Sequence, residues 1–235
     1  MQTAVIPYQD QETNLEGFVV CPSQGKCPTV ILCHTWKGRD PSICKAAEQM
    51  AERGYVGFAL DMYGRGILGK SREENAALKK PFIQDRHSLQ RRILKAWEVV
   101  HTLPYVDTIR IGALGFGFGG VCALDLARSG VTLRGVVSVY GHFGPPQGLP
   151  KKIIRSKILI LHGYGDPIST LEDLHLFEQE MNEAHVDWQV HTYSNTVHAF
   201  TEPSANDPVF GTVYNPLSTQ RAWRSIQDFF EEIFL

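Results

Sequence analysis

The chain has 235 residues, with 23 Lys and Arg against 25 Asp and Glu and a net charge of −2. Hydrophobic residues at 43% and charged residues at 20% exclude a disordered chain, and at this length no disulfide or metal is needed to hold a core. Charge near balance, with no basic block, argues against a nucleic-acid or anionic-membrane partner.

Strand-like apolar runs then alternate with helical patterns along the whole chain. Thr29 to Cys33 (TVILC) reads as a buried strand, Ser42 to Arg53 as a helix stopped by Gly54, and Tyr55 to Leu60 as a second strand. Gly64 to Pro81 is a longer, more polar connection, either a lid or a surface excursion. Leu89, Ile93, Ala96, Trp97 and Val100 place a helix over about Gln84 to His101. Ile109 to Leu114 is a strand, Gly120 to Arg128 a helix, and Leu133 to Tyr140 and Lys157 to His162 are strands. Leu171 to Ala184 is a helix, Trp188 to Tyr193 a strand, and Leu217 to Phe234 a closing helix. This alternation predicts one α/β domain over 1–235: a mostly parallel twisted sheet with helices on both faces and its site at the carboxyl ends of the strands.

The most informative segment is Ile111 to Cys122, IGALGFGFGGVC, where a strand runs through glycines into a helix. Two mechanisms use such a turn. Gly115, Gly117 and Gly120 match the dinucleotide pattern G-x-G-x-x-G, and Gly115 and Gly119 also flank position 117 as in a nucleophile elbow. A dinucleotide site needs an acid about 20 residues on, at the end of the next strand. That region, VVSVYGHF from Val136 to Phe143, has none. An elbow instead requires an acid after a later strand and a histidine after the next, in that order. Asp166 follows KILILHGYG, and His198 follows WQVHTY, so the order favours the elbow.

No apolar run approaches the ~18 residues that span a bilayer, and Met1 to Asp10 lacks the basic and apolar regions of a secretory signal. The five cysteines, Cys21, Cys27, Cys33, Cys44 and Cys122, form no CxxC pair and no zinc spacing. These features predict a reduced, cytoplasmic protein whose cysteines are small core residues, with no metal or organic cofactor.

With these residues in place the sequence resembles the dienelactone hydrolase family of α/β-hydrolases. The resemblance rests on HTWKG (34–38), ALDMYGRG (59–66), IGALGFGFGG (111–120), LILHGYGDP (159–167), TVHAF (196–200) and YNPLSTQRAWRSIQDFF (214–230), and covers nearly the whole chain. It implies an α/β-hydrolase fold and a Cys-His-Asp triad that hydrolyses esters through an acyl-enzyme. Asp166 and His198 take the positions of the acid and base, and the backbone N–H groups of Phe118 and Trp36 those of the oxyanion hole. The implied partner is a small-molecule ester, bound by a monomer or weak homodimer.

Three departures stand out. Gly117 occupies the nucleophile position, where the family has Cys and occasionally Ser, and Cys122 lies five residues further on, in the helix. Thr35 stands where the family has a glutamate, and Glu202 where it has a substrate-binding arginine. Arg72 is a candidate for the family's second carboxylate-binding arginine. The chain is therefore expected to be a nearly inactive form of a carboxylic ester hydrolase, its nucleophile lost recently or by design. The alternatives are a hydrolase of activated phosphotriesters or thioesters on the same triad, and a ligand-binding pseudoenzyme. The missing arginine and Glu202 lead to an expected preference for neutral esters over anionic lactones.

Overall fold

The structure is a computed structural model that describes residues 1–22 and 25–235. Its centre is an eight-stranded sheet in the order β1-β2-β4-β3-β5-β6-β7-β8. The strands are β1 (Gln2–Asp10), β2 (Thr13–Cys21), β3 (Cys27–Cys33), β4 (Val56–Ala59), β5 (Val106–Phe116), β6 (Gly135–Val139), β7 (Lys157–Gly163) and β8 (Trp188–Tyr193). From β4 to β8 every pairing is parallel, and only β2 runs antiparallel to its neighbours β1 and β4. The central strands are covered on both faces, which is why they read as unbroken apolar runs.

Among the described residues there are six helices: α1 (Pro41–Glu52), α2 (Arg72–Gln84), α3 (Arg86–Thr102), α4 (Phe118–Arg128), α5 (Leu171–Glu183) and α6 (Pro216–Phe234). The core divides at the sheet. Leu89, Ile93, Val121, Leu124, Phe177 and Met181 bring α3, α4 and α5 onto one face. Ile43, Met50, Ile226 and Phe230 bring α1 and α6 onto the other. Local signals start each helix. Asp40 accepts from the Ser42 and Ile43 N–H groups ahead of α1, Thr170 and Asp173 form a reciprocal capping box at α5, and Asn215 caps α6 with Pro216 in its first turn.

The expected alternation holds from β3 onward, and the structure adds to it or shifts it at four places. The hairpin β1–β2 was not expected from the sequence: β1 is exposed along much of its length and contains Pro7, which an edge strand tolerates and a central strand does not. The polar excursion after Gly64 contains a helix, α2, with Pro81 in its last turn. At Asp85 the backbone leaves the helical region (φ −123°, ψ 88°), and its carboxylate accepts from the His87 and Ser88 N–H groups, so a second helix starts afresh. The helix after the glycine turn begins at Phe118, two residues earlier than expected. A small two-stranded ribbon, β9 (Asn206–Asp207) with β10 (Thr212–Val213), lies beyond β8.

Candidate active site

Gly117 is the single residue between β5 and α4, at φ 55° and ψ −111°, a conformation that side chains other than glycine's adopt only under strain. Its N–H donates to the Val139 carbonyl (2.9 Å), and its carbonyl accepts from Gly120 N (3.0 Å). The flanking glycines are there for close packing. A Cβ on Gly115 would meet the Gly119 carbonyl, one on Gly119 the Cys33 carbonyl, and one on Gly120 would lie 2.8 Å from Gly141 Cα. Position 117 is different: a Cβ there would sit 3.5 Å from Tyr140 Cε2 and 3.8 Å from His198 Nε2, ordinary contact distances. The glycines that would have to cradle a pyrophosphate are filled by the protein's own backbone, whereas position 117 faces open space beside a histidine. The turn therefore has the geometry of an elbow rather than of a dinucleotide loop.

His198 is held from several sides. Its backbone donates to the Gly211 carbonyl (3.0 Å) and accepts from Val213 N (3.2 Å), which ties it to β10. Its ring meets Tyr140 edge-on at 5.1 Å, and its Nδ1 lies 2.8 Å from Asp166 Oδ2. The other carboxylate oxygen, Oδ1, accepts from Ile168 N (2.8 Å) and Ser169 N (3.0 Å). Burial opposes ionisation of Asp166, but the His198 hydrogen bond and charge, helped by these two N–H groups, outweigh it and hold the carboxyl below its ordinary value. An ionised Asp166 can only accept, so Nδ1 carries a proton, and in the neutral ring Nε2 is left with its lone pair toward position 117.

Two backbone donors complete the arrangement. Phe118 N belongs to the first turn of α4, where no intrahelical acceptor exists. Trp36 N lies in the turn after β3, and among the described residues it has no hydrogen-bond acceptor. The peptide that carries it is fixed through its other end: the Thr35 carbonyl accepts from Gly38 N (3.3 Å) and lies 2.6 Å from His34 Nδ1. Because His34 Nε2 accepts from Met62 N (3.1 Å), its Nδ1 is the protonated nitrogen and donates to that carbonyl.

A pocket of about 110 Å³ joins these groups. Gly117, Phe118, His198, Trp36, Thr35 and Glu202 all line it, and Asp166 stands behind His198. The remaining sequence candidate, Arg72, is outside this lining. It stacks over Phe210 at 3.6 Å and pairs with Asp207 at 3.5 Å, which fastens the start of α2 to the β9 ribbon. Glu202 is not a bare negative charge, since Lys37 Nζ lies at 3.3 Å and Ser204 Oγ donates to it at 2.8 Å. Thr35 Oγ1 accepts from Lys37 N (3.3 Å). Cys122 is buried within α4, and burial pushes its thiol well up, so it is an inert core residue.

Sequence reasoning missed four titratable groups in the pocket, Lys37, Tyr140, Lys79 and His142. Lys79 reaches in from α2, with its ammonium 5.3 Å from the centre of the Trp36 ring. Burial lowers its pKa, and among the described residues no carboxylate lies within ion-pair distance. Burial also lowers His142, assisted by the charges of His198 and Lys79. His142 had a usable signal, because it follows β6 at the carboxyl edge of the sheet. Lys79 had none, because it belongs to a helix that the polar sequence did not reveal. Among the described residues no cluster of three or more His, Cys, Asp or Glu is placed to hold a metal, and no helix is long and apolar enough to cross a membrane.

The sheet order, the elbow and the histidine–aspartate pair behind it define an α/β-hydrolase. Residues 15–234 match the dienelactone hydrolase family, and the chain belongs to that family of hydrolases. Among solved structures, m3DLH superposes with a TM-score of 0.93 at 32% identity, covering 100% of this chain and 99% of its own. A dienelactone hydrolase-like promiscuous phosphotriesterase, P91, from metagenomic libraries gives 0.92 at 28% identity, over 100% of this chain and 99% of its own. A Caenorhabditis elegans protein, K02A2.1, is 30% identical over 149 residues, which is 62% of this chain and 94% of that protein.

Proposed function

We propose that this chain has the active site of a carboxylic ester hydrolase, complete except for the atom that attacks. The observation that carries this reading is the 3.8 Å between a Cβ built at position 117 and His198 Nε2. A thiol or hydroxyl on that Cβ would come within hydrogen-bonding reach of the histidine. In the complete site the side chain at 117 gives its proton to His198 and adds to the ester carbonyl. Phe118 N and Trp36 N take the oxyanion, and Asp166 orients His198 and stabilises its cation. The alcohol leaves with the proton from His198, and water then releases the acid by the same route in reverse.

With glycine at 117 no acyl-enzyme can form on that residue, so the covalent route is closed. Gly117→Cys is therefore expected to produce a burst and sustained turnover of p-nitrophenyl acetate, with an acetyl adduct on residue 117 seen by intact-mass spectrometry. A folded Gly117→Cys protein and a folded Gly117→Ser protein that both fail to turn over would support a ligand-binding protein instead. A second reading, hydrolysis of activated phosphotriesters, is favoured by the 28% identity to P91. It predicts that Gly117→Cys also releases p-nitrophenol from paraoxon.

A further inference from the structure

Replacing a nucleophile by glycine removes a side chain, but here it also opens a compartment. The atoms nearest a Cβ at 117 would be Tyr140 Cε2 and Cδ2, at 3.5 and 3.7 Å, and His198 Nε2, at 3.8 Å, so the space outward from Gly117 Cα has one side of the Tyr140 ring and the outer nitrogen of His198 as its near walls. It opens into the pocket that Phe118 and Trp36 line. Everything that would activate a hydroxyl on residue 117 is still aimed at this space: His198 Nε2 with its lone pair, Asp166 fixing the opposite nitrogen at 2.8 Å, and Tyr140 holding the ring edge-on. The group missing from the slot is about the size of a water molecule. A water there can donate to His198 Nε2, and Phe118 and Trp36, whose N–H groups have no acceptor among the described residues, line the same pocket, so it meets polar partners that an empty apolar cavity would not offer.

We infer that the chain as it stands is itself a hydrolase, one that uses a water in the residue-117 slot as its nucleophile and forms no covalent intermediate. This rests on the ester-hydrolase reading of the site. The water gives one proton to His198 Nε2 while its oxygen bonds to the ester carbonyl carbon. The carbonyl electron pair moves to the oxygen, which the Phe118 and Trp36 N–H groups hold. Collapse re-forms the carbonyl and breaks the bond to the leaving oxygen, which takes the proton back from His198. The products are the carboxylic acid and the alcohol, and the protein is unchanged. His198 serves as general base and then general acid in one addition–elimination, and Asp166 stabilises its cation in between.

The test uses the unmodified chain with p-nitrophenyl acetate. Steady-state release above the buffer rate is expected without a burst and without an acetyl adduct by intact mass. General-base assistance is worth about 10²–10⁴-fold, so His198→Ala should remove most of that rate. Gly117→Ala, whose methyl occupies the slot, should do the same. Because alanine is strained at this φ, a measurement on the unmutated chain accompanies it: with a water proton in flight, the rate in deuterium oxide should fall by about two- to three-fold. A burst with an adduct on another residue, a rate indifferent to His198→Ala, or the lack of a solvent isotope effect would each overturn the inference. If Gly117→Cys shows burst turnover while the parent shows no His198-dependent rate, the slot inference falls and the ester-hydrolase reading stands. If neither protein turns over, both fall.

Discussion

At the scale of single residues, Gly117 sets stability and chemistry against one another. Its φ of 55° costs a glycine nothing and costs other residues about 1–3 kcal/mol. The space for a side chain is present, so the penalty is conformational rather than steric. Gly117→Cys should gain turnover and lose about 1–3 kcal/mol of unfolding free energy, read as a lower denaturant midpoint at unchanged m-value. A midpoint that rises would show that residue 117 is not in an elbow. The pocket's charge also looks different in three dimensions from how it looks along the chain. From sequence, Glu202 and the missing arginine pointed to neutral esters, but Glu202 is held by Lys37 and Ser204, while Lys79 enters without a carboxylate partner. In the Gly117→Cys background, an aryl ester carrying a carboxylate should now be preferred over its neutral analogue. Lys79→Met should cut that preference by about 5–30-fold, equivalent to about 1–2 kcal/mol of charge–charge attraction across the pocket. Burial lowers the Lys79 pKa, so the preference should fade at a pH below that at which an ordinary lysine loses its proton. An unchanged ratio of kcat/KM values would remove Lys79 from substrate recognition. None of this was legible in the sequence, because the pairing of Lys37 with Glu202 joins residues 165 positions apart along the chain, on separate loops.

At the scale of elements, the unexpected hairpin is bolted to the molecule by charge. Asp10, at the end of β1, is 1% exposed and accepts from Arg92 Nε (2.6 Å) and Arg91 Nε (3.0 Å) of α3. Arg92 also donates to the Met62 carbonyl (2.8 Å) and to Thr13 Oγ1 (3.2 Å), so one guanidinium joins α3, the hairpin and the segment after β4. Burial opposes ionisation of Asp10, but the two arginines outweigh it and lower its pKa. Its stabilising share is therefore complete above the ordinary carboxyl value of about 3.9 and is lost as pH falls through the lower folded value. Asp10→Asn should cost about 3–5 kcal/mol near neutral pH, because it leaves Arg92 buried without its anion. The gap between the two proteins should close in acid, below about pH 3.9. Urea titrations at neutral and acid pH check this, and a gap that stays constant would assign the loss to packing. The same elements explain what the sequence could reveal. β3, the second half of β5, β6 and β7 are buried on both faces and show as apolar runs, and α6 carries its stripe with Asn215 and Pro216 at its start. β1 alternates weakly and α2 has Asn75 as its one buried residue, so neither carries a pattern strong enough to read.

For the whole molecule, the two edges of the sheet decide how it meets copies of itself. β1 carries Pro7, which has no N–H to offer a further strand, and β8 at the opposite edge exposes Thr192. We expect a monomer at micromolar concentration, measured by sedimentation velocity; a stable dimer would require a face other than these edges. The order of strands, acid and histidine along the chain was enough to place the site, because a parallel sheet delivers its carboxyl ends to one rim whatever the loops do. The roof of the pocket was not legible, because it is made by α2 and the β9 ribbon, which are fastened to each other by Arg72, Asp207 and Phe210, residues far apart along the chain.

The contrast between position 117 and the glycines beside it also bears on inheritance. The glycine codons GGU and GGC become cysteine codons by changing the first base to U, and serine codons by changing it to A. At 115 or 119 the same base changes would drive a side chain into the Gly119 or Cys33 carbonyl, so the polypeptide would be lost. At 117 they place a thiol or hydroxyl where a histidine already waits, at the cost of some backbone strain. With either of those codons at 117, one base change there supplies a nucleophile, while the same change beside it breaks the turn. In a random library selected for ester hydrolysis, improved variants should collect at the codon for residue 117, while those for 115 and 119 stay silent.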